Sequence, residues 1–64
     1  MNLDYLEQEL RRATDSFERD DITMANIYIK YIEKHIDAIE PSDQKKALQA
    51  ATIALKEKIN EKRE

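Results

Sequence analysis

The chain has 64 residues, 41% of them hydrophobic and 39% charged, with fourteen acidic against eleven basic side chains and a net charge of −3. A chain this short forms one domain at most and buries only about 60% of the surface it exposes when unfolded. It has no cysteine and a single histidine, which excludes disulfide stapling and leaves no four-ligand set for a structural zinc. Glycine is absent and proline occurs once. Those residues are the costliest in helix interiors, so this composition suits helix almost from end to end. Regular spacing of the apolar residues argues against disorder.

The first predicted helix covers about 3–19. Asn2 is placed to cap it, and Asp4 sits in its first turn near the positive end of the helix dipole. Its apolar residues Leu3, Leu6, Leu10, Ala13 and Phe17 alternate spacings of three and four, a narrow seam suited to an antiparallel bundle. Glu7 with Arg11 and Asp15 with Arg19 are expected as i,i+4 pairs on the wet side, and Tyr5 lies off the seam. The seam stops after Phe17, and continuing it would put Asp20 at an apolar position. A break is therefore expected at Arg19-Asp20-Asp21, with either aspartate able to cap a second helix.

That second helix, 22–39, reads ITMANIYIKYIEKHIDAI and organises the rest. At about 100° per residue, Ile22, Ala25, Ile29, Ile32, Ile36 and Ile39 share one face. Met24, Ile27, Tyr31 and Ala38 share nearly the opposite one, with Tyr28 and His35 bridging the two sets. Polar residues occupy a stripe only about 100° wide, whereas a surface helix usually has a narrow apolar stripe on a polar cylinder. This helix is expected to be covered on two sides.

Pro41 disfavours helix at Glu40, and Ser42 can cap a third helix over about 43–62. Leu48, Ala51, Thr52, Leu55 and Ile59 are expected to face inward, with Ala47, Ala50 and Ala54 widening that face. Short connections make successive helices antiparallel neighbours. The expected fold is all-α, one domain over 1–64, with three antiparallel helices as an up-down-up bundle or a flat array. The tryptophan, glycine and alanine pattern of tetratricopeptide units is missing.

No catalytic constellation emerges. His35 lies at the edge of an apolar arc, Ser42 is committed to a cap, no Glu-x-x-His occurs, and a phosphate-cradling loop would need glycine. No catalytic residue, cofactor, metal or small-molecule substrate is expected. Charge is uneven: residues 1–21 carry three basic and seven acidic side chains, and residues 41–64 six and four. Lys45, Lys46, Lys56, Lys58, Lys62 and Arg63 are the candidate contacts in an alternative reading as a transcriptional or phage-type regulator. The acidic isoelectric point, near 5.1, opposes a broad nucleic-acid footprint.

What remains is protein recognition. The two flanking helices have seams too narrow to enclose the middle one, leaving Met24, Ile27, Tyr28, Tyr31, His35 and Ala38 as the candidate interface. Tyrosine and methionine are enriched at interface cores. The expectation is a cytoplasmic, non-enzymatic adaptor, co-chaperone or regulatory subunit that binds a helical target or itself as a homodimer. The cytoplasmic reading rests on an opening without the basic-then-apolar order of a signal peptide and on the lack of a membrane-spanning apolar run. The opening MNLDYLEQEL and the stretch LQAATIAL, with Leu48-Gln49 and Ala54-Leu55, resemble the small helical partner subunits of needle-protein chaperones in type III secretion. That resemblance implies packing against another helical protein and assigns no residue a role.

Overall fold

The computed structural model describes residues 2–63, the last by its backbone alone. It contains α1 (Leu3–Glu18), α2 (Ile22–Ile36) and α3 (Asp43–Arg63), with no strand among the described residues. Asn2 caps α1 as expected, its side-chain oxygen accepting from the Tyr5 amide at 2.9 Å. Ser42 does the same for α3, accepting from the Lys45 amide at 3.0 Å.

The first turn is a Schellman motif built without glycine. The Asp21 amide donates to the Ser16 carbonyl at 2.8 Å and the Asp20 amide to Phe17 at 3.0 Å, with Asp20 at φ 70°. Aspartate tolerates this left-handed geometry better than most residues, at a cost of about 1–2 kcal/mol for an L-residue. Asp21 then serves both elements, closing α1 through its amide and capping α2 by accepting from the Met24 amide at 3.2 Å. Of the two aspartates, it is Asp21 that caps.

The second helix is shorter than its apolar pattern suggested, ending at Ile36 instead of Ile39. The Ala38 and Ile39 amides tighten onto the carbonyls of His35 and Ile36, both at 3.1 Å, in three-residue steps that lead into Pro41. Lys45 then donates its ammonium to the Ile39 carbonyl at 2.7 Å, tying this corner to α3.

Two layers of side chains form the core. Ala13, Ala25, Ile29, Leu55 and Ile59 make one, and Leu6, Ile32, Ile36 and Leu48 the other, with Leu10 packed against both. Late residues of α1 thus meet early residues of α2 and late residues of α3, which sets an up-down-up order. The molecule measures 34 × 16 × 16 Å, and two equal short axes mark a bundle instead of a flat array. α1 and α2 pack most extensively, while α3 touches each of them along fewer residues. Thr52 is buried among the isoleucines and leucines because its hydroxyl donates to the Leu48 carbonyl at 2.7 Å. Ala51, expected inward, is exposed, as are Ala47, Ala50 and Ala54. The line Leu48, Thr52, Leu55, Ile59 fills the space available, and the alanines fall on its flank.

Candidate interaction surface

The buried edge of α2 is sealed: Ala25, Ile29, Ile32 and Ile36 have almost no contact with solvent. Its opposite edge is open. Ile27 is 52% exposed, Met24 is also exposed, and Tyr28, Tyr31 and His35 are half-buried. Of the candidate interface residues, Ala38 stands apart. It is exposed but lies in the turn after α2, so the helical register that placed it beside Tyr31 does not extend that far.

Tyr31 and His35 form a connected aromatic group with Tyr5 of α1, while Tyr28 packs against the core layer of Ala25 and Ile29. The Tyr5 and Tyr31 rings lie 6.0 Å apart and the Tyr31 and His35 rings 4.5 Å apart, both pairs tilted, an arrangement favoured by the ring quadrupoles. Tyr5, read as lying off the seam of α1, is therefore the residue through which α1 joins the surface. Glu9, one turn further along α1, is only 5% exposed and is a buried carboxylate that sequence reasoning missed. Arg12 satisfies it, donating at 3.2 Å from a guanidinium that reaches solvent. Partial desolvation holds the Tyr31 phenol above the ordinary tyrosine range, helped by the neighbouring Tyr5 hydroxyl and by the negative charge of Glu9.

The other flank of α2 differs in chemistry. Ile32, Glu33, Ile36 and Asp37 face Gln49, Thr52 and Ile53 across a groove toward α3, where Lys56 pairs with Glu33 at 2.8 Å. Ile53 is 57% exposed and was also missed. Its signal is that 47–55, ALQAATIAL, holds nine uncharged residues in a row in an otherwise charge-rich chain.

The basic residues of the alternative reading are dispersed. Lys45 is bound to the Ile39 carbonyl and Lys56 to Glu33, while Lys62 pairs with Asp20 and lies 5.2 Å from the centre of the Phe17 ring. Lys46 and Lys58 are exposed, and the side chain of Arg63 lies outside the described residues. Among the described residues no group of three or more histidine, cysteine or acidic side chains could hold a metal, and no helix is long and apolar enough to cross a membrane. No family model, curated protein or solved structure matches this chain.

Proposed function

We propose that this chain is a binding module, a small helical adaptor, co-chaperone or regulatory subunit, and that it engages another protein through the outer edge of α2 and the aromatic group shared with α1. One observation carries the reading. The core is closed by one edge of α2, yet Ile27 and Met24 remain exposed on the other beside three half-buried rings. Tyr28 and Tyr31 also pack against the core, but the bundle gives Ile27 and Met24 little to do, and clustered aromatic, methionine and isoleucine side chains are the composition of interface cores. A binding role also suits the chain's two most obvious chemical groups, since His35 packs at a tilt against Tyr31 and Ser42 caps α3.

The test compares three immobilised chains, the wild type, Ile27→Glu and Ile53→Glu, for what each retains from an extract of the source organism. Sedimentation of each over a concentration series runs alongside. The expected outcome is a protein retained, or a self-association seen, with the wild type and Ile53→Glu but lost with Ile27→Glu. Identical behaviour of all three would overturn the proposal.

A further inference from the structure

The charges on α2 are segregated by flank, and this bears on what occupies its open edge. Met24, Ile27, Tyr31 and Lys34 succeed one another at spacings of three, four and three, the seam of a helix that expects a helical partner. Lys30 lines the same shallow depression as Ile27, together with Ile22, Thr23 and Asn26. Lys34 is exposed one turn beyond it. Lys30 and Lys34 form no ion pair among the described residues, whereas Arg12, Arg19, Lys56 and Lys62 each do. The carboxylates of α2 and its C-cap, Glu33 and Asp37, line the α3 groove instead. Asp21, at the start of α2, is spent as its cap. Lys34 and His35 also suit the negative end of the helix dipole, but Lys30 lies too far from that end for the dipole to account for it. A chain with a net charge of −3 thus carries two exposed lysines outside those ion pairs, on the same side of α2 as its exposed apolar residues.

Resting on the protein-binding reading above, we infer that the occupant of this edge is an acidic amphipathic helix of a different protein, with aliphatic residues at heptad spacing and glutamate or aspartate beside them. A second copy of this chain is the poorer fit. A two-fold pairing presents the same patch to itself, bringing Lys30 and Lys34 of both copies together, and like charges across an interface oppose association. An acidic helix meets the same lysines with opposite charge while its aliphatic seam covers Ile27 and Met24.

Two labelled synthetic peptides of about three heptads, identical in their leucine and isoleucine seam but flanked by glutamate in one and lysine in the other, form the probe. Each repels its own kind, so both stay monomeric. Titrated with the full chain and followed by fluorescence anisotropy, the glutamate peptide is expected to saturate and to bind at least about tenfold more tightly than the lysine peptide. That difference should shrink with added salt. The pair Lys30→Glu with Lys34→Glu should reverse the preference, Ile27→Glu should abolish binding, and Ile53→Glu should leave it unchanged, with circular dichroism confirming that each variant stays helical. Equal affinity for the two peptides, no saturable binding of either, or a preference untouched by the lysine changes would overturn the inference. So would binding to phosphatidylglycerol vesicles with which the glutamate peptide does not compete. A dimer that Tyr31→Glu splits and the glutamate peptide does not displace would sink the acidic partner while leaving the protein-binding reading in place. If Ile27→Glu alters neither association nor capture, the reading itself falls.

Discussion

Two isoleucines two positions apart on α2 provide the sharpest test of which edge of that helix is closed. Ile29 is 1% exposed in the core layer of Ala13, Ala25, Leu55 and Ile59, while Ile27 is 52% exposed. Replacing Ile29 with alanine removes three carbons, about 2.4 kcal/mol at ~0.8 kcal/mol for each buried methylene, and leaves a cavity, so the expected loss is about 3 kcal/mol. The same change at Ile27 forfeits about half of the transfer term and opens no cavity. Alanine also returns a few tenths of a kcal/mol in helix propensity, so the net loss is about 0.5–1 kcal/mol. For a domain of this size 1 kcal/mol moves the melting temperature by about 4–8 °C. Thermal melts followed by circular dichroism should therefore fall by more than about 10 °C for Ile29→Ala and by less than about 8 °C for Ile27→Ala. A single core this small seldom supplies more than about 3–5 kcal/mol, so the Ile29→Ala melt is best taken from low temperature in trimethylamine N-oxide, with the wild type matched. Equal losses would refute the assignment of open and closed edges. A deficit at Ile27 that grows with protein concentration would mean that a second copy covers it.

The α1 side of the surface gives two further tests. Arg12→Ala leaves the Glu9 carboxylate buried without its partner and should cost about 1–3 kcal/mol. Arg19→Ala breaks the exposed pair with Asp15 and should cost less than about 1 kcal/mol, which urea midpoints will separate. In an ultraviolet absorbance titration, the phenol removed by Tyr31→Phe should be one that ionises above the usual tyrosine value of about 10. Because folding favours the neutral phenol, the stability it contributes is intact below that value and is lost as pH rises through the folded pKa. Tyr5→Phe should move the ionisation further back toward the ordinary range than Glu9→Gln does, and a Tyr31 unmoved by either would contradict the placement of these groups.

While the choice of Asp21 over Asp20 as the cap of α2 came from the structure, the sequence by itself determined the helices, the caps of α1 and α3 and the identity of the sealed edge. The reason is that those are local or periodic properties: Asn2 and Ser42 bond amides three residues ahead, and Ala25, Ile29, Ile32 and Ile36 recur with the helical turn. The end of α2 was less legible because apolar spacing continues to Ile39 while the backbone already tightens ahead of Pro41. The tertiary structure alone decided what lies beside each seam. Glu9 is buried and Ala51 is not, since burial at a seam's edge depends on which way the neighbouring helix leans and not on the residue's own period. Tyr5 meets Tyr31 only because the Asp20 turn folds α1 back along α2. Distances between helices are set by the whole packing, and no spacing within one helix encodes them.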